Sequence, residues 1–308
     1  MTSALRGLRV GLLERYHLPD YRGAVADRLV PLLQEQGAQV DLVHAEQGLH
    51  RLDLAPPWDL VVHKSGSAAA LHLAAAAEAW GIPAVNRSGA TRLAQDKLAS
   101  AVILQQAGLP IAPSYLAWLG PSLSRSRVVV EWANEADARP ALRYQLPDDP
   151  WSVVDRLEAL SDRPLIVKAA RGSQGAGLWT VAPGELVHLS TGLPEGPYLL
   201  MERIPHTGDD LKLFVAGRWL AAIERPFPAT TLAAKVGRPV PVPDEVATVT
   251  REAGRLLGLT CYGCDFVRGR GGWTLVDVNA FPGYKGAAGA PNALATEIAR
   301  VALEGCPQ

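Results

Sequence analysis

The chain changes texture once, and that change limits what it can fold into. From Arg9 to Val85, short apolar runs alternate with helix-like segments. They are Arg9 to Leu13, a helix from Gly23 to Gln36 stopped by Gly37, Gln39 to Val43, Leu60 to Val62, an alanine-rich helix from Ala68 to Ala79, and Ala84-Val85. Strand–helix alternation predicts a small parallel sheet with helices on both faces. A helical pattern from Ala90 to Ala107 follows, closed by Gly108. The stretch from Gly120 to about Pro150 mixes polarity and proline, with one expected strand from Arg127 to Glu131. From Leu165 the apolar runs become short and close together: Leu165 to Lys168, Leu178 to Val181, Tyr198 to Glu202, Leu211 to Val215 and Trp219 to Ile223, the last two joined by a hairpin turn at Ala216-Gly217. A helix from Asp244 to Leu257 has Asp244 as its expected N-cap and Gly258 at its end. Two strands, Tyr262 to Val267 and Trp273 to Val278, and a helix from Pro291 to Leu303 complete the chain. The fold class is therefore α/β combined with α+β. Residues 1–90 are expected as an N-terminal α/β domain, 91–200 as a central subdomain and 201–308 as a C-terminal subdomain.

Charge and cysteine content narrow the function classes. A formal net charge of −1 removes the case for bulk nucleic-acid or membrane-surface binding. No segment approaches the length of a membrane span, and Arg6, Arg9, Glu14 and Arg15 interrupt any signal-peptide core. Three cysteines do not make a disulfide framework. Cys261 and Cys264 have the spacing of half a zinc site, but no second pair follows, so they read as buried strand thiols. The expectation is a cytoplasmic enzyme with no nucleic-acid or membrane partner, compatible with a homo-oligomer.

Chemistry concentrates at the C-terminal end. Asp265 lies in an otherwise apolar run, and Asp277 and Asn279 lie two apart in the next one. Residues i and i+2 of a strand share a face, so neighbouring strands let three oxygen-bearing side chains converge. Two carboxylates and an amide suit Mg2+, with Mn2+ as the alternative. Solvent-facing strand ends are the competing reading, although Asp and Asn are poor strand formers and Asp277 sits between Val276 and Val278. Earlier, a strand ends at Lys168 and runs into Arg171-Gly-Ser173-Gln174-Gly175-Ala-Gly177. Such a loop brings backbone N–H groups to phosphate oxygens beside a lysine, or it is an ordinary glycine-rich hairpin. It is not a P-loop, because Lys-[Ser/Thr] does not follow the glycines. Lys97, alone on a helix, reads as solvated on spacing alone. Met201-Glu202-Arg203-Ile204 ends a strand before a turn carrying His206, Asp209 and Asp210.

The order of Asp96-Lys97, Val167-Lys168 with its glycine loop, Met201-Glu202-Arg203-Ile204, Asp210 to Gly217, Gly263-Cys264-Asp265 and Asp277-Val278-Asn279 resembles the ATP-grasp superfamily from Ala90 to the C-terminus. That resemblance implies ATP clamped between two α+β subdomains beside the small N-terminal domain. It assigns Lys97 and Lys168 to the phosphates, with Ser173, Gln174 and Gly175 in the covering loop. Glu202 and Ile204 go to the adenine, Asp210 to the ribose, and Asp265, Asp277 and Asn279 to the metal. Asn86, the stretch from Ala90 to Pro113 and the glycine loop look like RimK-type carboxylate–amine ligases. Those ligases usually show Asp-[Ile/Leu]-Arg where this chain has Asp210-Leu211-Lys212, and Glu-x-Asn where it has Asp277-Val278-Asn279. His63-Lys64, Lys212-Leu-Phe-Val215, Glu224-Arg225-Pro226 and Asp277 to Gly286 are similar to inositol trisphosphate 5/6-kinases. A ligase acting through an acyl phosphate on a small anionic substrate or peptide is the leading expectation. A kinase phosphorylating a hydroxyl is second, and a non-catalytic nucleotide-binding module third. His63, Lys64, Arg171, Lys235 and Lys285 are expected around the anionic substrate, and Lys168, Lys212 and Arg225 in catalysis, with Arg225 holding the acyl phosphate.

Overall fold

The computed structural model describes residues 4–15, 25–120, 157, 160, 162–170, 177–206, 208–227 and 231–304. By contact the chain separates into two units, Met1–Ala112 with Ile204–Gln308, and Pro113–Arg203.

In the first unit, β1 (Arg9–Leu13), β2 (Gln39–Val43), β3 (Leu60–His63) and β4 (Ala84–Val85) form an all-parallel sheet in the order β2-β1-β3-β4. Every residue of β3 is buried, because helices cover both faces. Leu60 and Val62 join the core with Leu29 and Leu33 of α1 (Ala26–Glu35), and Val61 packs with Ala70, Leu73 and Ala74 of α2 (Ala68–Ala79). Ser67 starts α2 by accepting from the Ala70 N–H at 3.2 Å.

The single helix expected from Ala90 to Ala107 is two: α3 (Ser88–Gln95) and α4 (Lys97–Gln106). Asp96 breaks it. Its backbone is extended, and its carboxylate caps α4 by accepting from Leu98 N–H at 3.1 Å and Ala99 N–H at 3.0 Å. With no proline or glycine in the pattern, the one local signal of the break is Asp96 itself, a residue type favoured at N-caps over helix interiors.

The second unit holds β5 (Ser114–Leu119), β6 (Leu165–Ala169), β7 (Leu178–Val181), α5 (Leu186–Gly192) and β8 (Gly196–Glu202), with sheet order β5-β8-β6-β7. One face of this sheet, through Leu119, Leu165, Val167, Val181 and Leu200, packs with Leu186 of α5. The sequence reading did not anticipate β5 or α5. The strand expected from Arg127 to Glu131 lies outside the described residues.

The first unit continues with β9 (Asp209–Ala216), β10 (Trp219–Pro226), α6 (Leu232–Val236), β11 (Arg238–Val240), α7 (Asp244–Leu257), β12 (Cys261–Gly269), β13 (Gly272–Ala280) and α8 (Ala290–Glu304). Its antiparallel sheet runs β11-β10-β9-β12-β13. Asp244 is the first residue of α7 rather than its cap; Pro243 holds the cap position and offers no side-chain bond. Gly258 closes α7 in the left-handed region, φ 68°. Among the described residues, no helix is long and apolar enough to cross a membrane.

Candidate active site

The antiparallel sheet carries two different faces. Leu211, Leu213, Val215, Cys264, Phe266, Leu275 and Val278 point into an apolar core with Val246, Ala253 and Leu257 of α7. The opposite face begins apolar, with Ala216, Phe214, Cys261 and Ile223 in the core shared with α1 and α8. It then turns polar along the same strands, as period-2 alternation allows. On β9 the residues following that face are Lys212 and Asp210. The register sets Asp210 opposite Arg225 of β10 and Lys212 opposite Asp265 of β12. Asp265 in turn faces Asp277 of β13, and Gly263 faces Asn279.

A bulge makes this row compatible with the core. The register shifts between Asp265 and Phe266, so that Phe266 pairs with Leu275 and Val276 is the extra residue. Without the shift, Leu275 and Asp277 would claim the same face. With it, Leu275 is buried in the core at 1% exposure while Asp277 stays among the polar groups.

Charges alternate across the row. Lys212 Nζ donates to Asp265 Oδ1 at 2.8 Å and Oδ2 at 3.0 Å, and Arg225 Nη2 donates to Oδ1 at 3.2 Å. Lys97 Nζ lies 2.8 Å from Asp277 Oδ1 and donates to the carbonyls of Val278 at 3.0 Å and Ala94 at 3.3 Å. The expectation that Lys97 is solvated is overturned: capping by Asp96 starts α4 at Lys97, and its ammonium folds onto β13. Asn279 Nδ2 donates to both carboxylates, at 3.2 Å to Asp265 and 2.9 Å to Asp277. Three cations thus surround two adjacent carboxylates, which offsets the cost of removing like charges from water.

The donor set fits a divalent cation in composition and placement. One polarised nitrogen already lies within hydrogen-bond reach of both carboxylates, so a single small cation can reach both. Rotating the Asn279 amide presents its oxygen there. Two carboxylates and an amide carbonyl are hard oxygen ligands, suited to Mg2+ with waters or phosphate oxygens completing the shell. Among the described residues, no group of three or more His, Cys, Asp or Glu side chains is placed to hold a metal; Asn279 is what makes this set three.

Two buried atoms at the end of the row have no hydrogen-bond partner: Asp210 Oδ1 and Arg225 Nε. Asp210 is 7% exposed. A basic neighbour off the sheet is His206, Nε2 to Oδ1 at 3.5 Å, too long for a good hydrogen bond. Burial pushes the Asp210 carboxyl up to about 6; Arg225 opposes this, Asp265 adds to it, and His206 and Lys212 oppose it.

No protein-family model matches the chain. The probable alpha-L-glutamate ligase 1 of Shewanella amazonensis is 23% identical over 288 residues, spanning 85% of each chain. Among solved structures, a RimK domain ATP-grasp protein from Sphaerobacter thermophilus matches with TM-score 0.68 and 19% identity over 96% of this chain and 99% of that one. D-alanine–D-alanine ligase from Bacillus anthracis, solved in complex with ATP, matches with TM-score 0.61 and 14% identity, covering 96% and 97%. The fold is that of these ATP-grasp proteins. Both the superfamily and the mixed α/β and α+β class agree with the motif order read from the sequence.

The ATP-grasp frame separates the remaining expected residues into groups. Lys168 is half-buried near the end of β6, opposite Leu199 of β8 and Leu178 of β7. Glu202 ends β8 in the same unit; its N–H donates to Pro113 O at 2.9 Å. Its carboxylate accepts from Tyr115 at 3.0 Å and pairs with Arg163, two partners that sequence spacing did not reveal. The hydrogen bond to Glu202 also raises the Tyr115 hydroxyl pKa. Ile204 begins the return to the first unit, and its carbonyl lies 3.0 Å from His206 Nδ1. Arg171, Ser173, Gln174 and Gly175 lie outside the described residues, as does the side chain of Lys235. Lys285 is half-buried in the turn after β13, where Phe281 and Tyr284 hold positive φ of 38° and 50°.

His63 ends β3 at the carboxyl edge of the parallel sheet, and Lys64 follows it. Lys64 Nζ pairs with Glu14 at 2.6 Å, both nearly buried. His63 is 1% exposed, and burial lowers its pKa to about 4, with a backbone contact from Ser65 opposing the shift. The expected pair of cations for an anionic substrate is therefore one neutral imidazole and one ammonium matched by a carboxylate. Glu14 was legible as a polar residue directly after an apolar strand, a position where parallel sheets place ligand-facing groups.

Proposed function

We propose that this ATP-grasp enzyme is a carboxylate–amine ligase: ATP phosphorylates a substrate carboxylate, and an amine displaces phosphate from the resulting acyl phosphate. The observation that carries the reading is the row Arg225–Asp210, Lys212–Asp265–Asp277 with Asn279. It joins oxygen donors for Mg2+ to cations suited to a transferring phosphoryl group. Asp265, Asp277 and Asn279 hold the metal, which, when bound, neutralises charge on the phosphates. Lys212 and Arg225 lean on Asp265 and present N–H donors to the acyl phosphate as it forms, and Lys168 serves the nucleotide phosphates. Positioning and charge neutralisation are what such phosphoryl transfer asks of a protein. Lys97 holds Asp277 in place. Glu202 and Ile204 serve the adenine.

The substrates are small and anionic or peptidic. L-Glutamate is the amine to test first, because the full-length relative is named as a glutamate ligase. The test follows γ-labelled ATP. A ligase releases inorganic phosphate only with the amine acceptor present, and its amide product contains no phosphorus. Stable phosphate on the organic product makes the protein a kinase instead and overturns the reading.

A further inference from the structure

Amide formation has a proton problem that the row of cations does not solve. An amino acid enters at neutral pH as an ammonium ion, which cannot attack until it loses a proton. Asp265 and Asp277 are each held by cations and by Asn279, so neither is a free proton acceptor. Asp210 differs. It is more than nine-tenths buried, its Oδ1 accepts no hydrogen bond, and it stands opposite Arg225, whose Nε also lacks a partner. An unfilled acceptor beside an unfilled donor matches a ligand with N–H next to anionic oxygen. An ammonium approaching an acyl phosphate is such a ligand.

We propose that Asp210, positioned by His206, is the catalytic base that takes the proton from the attacking ammonium in the amide-forming step. The inference rests on the ligase reading and reassigns Asp210 from the ribose to the reacting end. The α- and β-phosphates separate the ribose from the reacting phosphorus, whereas Asp210 is one same-face step along β9 from Lys212, which holds Asp265. In the step, R–NH3+ gives H+ to the Asp210 carboxylate and the freed lone pair attacks the acyl carbon. The C–N bond forms, the C–O bond to phosphorus breaks, and phosphate leaves with that electron pair. A second N–H proton departs as the tetrahedral adduct collapses and goes to phosphate. Asp210 then returns its proton to solvent.

Asp210 is faced by Arg225 from β10, Asp265 from β12, His206 from the preceding loop and Lys212 on its own strand. His206 also packs against Phe227, with ring centroids 5.6 Å apart and planes tilted by 50°. A carboxyl held near 6 is ionised at pH 7 yet basic enough to accept a proton, as general bases require.

The test uses the full chain with Mg·ATP, L-glutamyl-L-glutamate as the carboxylate, and two nucleophiles. L-Glutamate arrives as an ammonium; hydroxylamine is largely neutral at pH 7.5 and needs no base to begin. Asp210→Asn should lower the ratio of amide to hydroxamate about 100-fold and remove the fall in amide formation below about pH 6. His206→Gln should move that fall to higher pH with a smaller loss of amide, a shift that mere loss of folding does not produce. Equal loss of both products in Asp210→Asn overturns the inference and returns Asp210 to nucleotide binding. An unchanged ratio overturns it as well. Absence of hydroxamate from the wild-type enzyme is the separate failure of the ligase reading, and the inference falls with it.

Discussion

Two sheet ends in the same unit bury charge in opposite ways. At the carboxyl edge of the parallel sheet, Glu14 and Lys64 cancel each other, and burial keeps His63 neutral although neither of its ring nitrogens has a hydrogen-bond partner. At the polar end of the antiparallel sheet, charged side chains alternate in sign, and Asp210 Oδ1 and Arg225 Nε have no hydrogen-bond partner. A matched pair and a neutral ring carry no net charge, so unfilled hydrogen-bonding capacity there costs less than it does at a charged group. Burying an ionised carboxylate and a guanidinium with unfilled hydrogen-bonding capacity costs stability unless something binds there. The first arrangement leaves no net charge, and the second leaves charge at the site that we propose binds substrates.

The largest expected effect separates the two ends by activity. Asp277→Ala should reduce turnover about 10³-fold while the melting temperature moves little, because Lys97 keeps its bonds to Val278 and Ala94. Titration of the variant with Mn2+ should show the loss of binding directly. Wild-type turnover in that variant contradicts the metal assignment. At the parallel-sheet edge, Glu14→Gln should instead cost about 3 kcal/mol of stability in denaturant unfolding, since one buried charge is left alone.

The pH dependences of the two ends should oppose each other. His63 has a folded pKa of about 4, below its ordinary 6.5. Its contribution is complete above pH 6.5 and is lost as pH falls toward 4, roughly 3 kcal/mol at the limit. His63→Leu should flatten that acid limb. Asp210 has a folded value raised from 3.8 to about 6. Its contribution is complete below pH 3.8 and is lost as pH rises through 6. Asp210→Asn should therefore be more stable than wild type at pH 8, by on the order of 1 kcal/mol after losing the attraction of Arg225, and show no gain near pH 4. Thermal melts across that range check both signs.

What was legible in the sequence follows from the range of the forces involved. Local patterns located β1, β2, α2, β7 and α7 at the bounds observed, and placed Asp277 and Asn279 on one face. Period-2 alternation is a local property. The partners of Asp265 are not: Lys212 and Arg225 reach it only because β9 lies between β10 and β12, a pairing across about fifty residues that no local pattern encodes. The break at Asp96 was missed because capping depends on one side chain finding two N–H groups. The burial of Lys97 was missed for the same reason, as a lysine on an isolated helix gives no sign that β13 is waiting. His63 and Lys64 looked cationic in sequence; burial and Glu14 removed that charge.

The central claim is that the polar end of the antiparallel sheet activates a carboxylate by phosphorylation. It is tested most directly by supplying the carboxylate substrate labelled with ¹⁸O on both oxygens and analysing the phosphate released during ligation. Passage through an acyl phosphate predicts one ¹⁸O atom in each inorganic phosphate formed. Amide product accompanied by unlabelled phosphate, or phosphorus retained in the organic product, would contradict it.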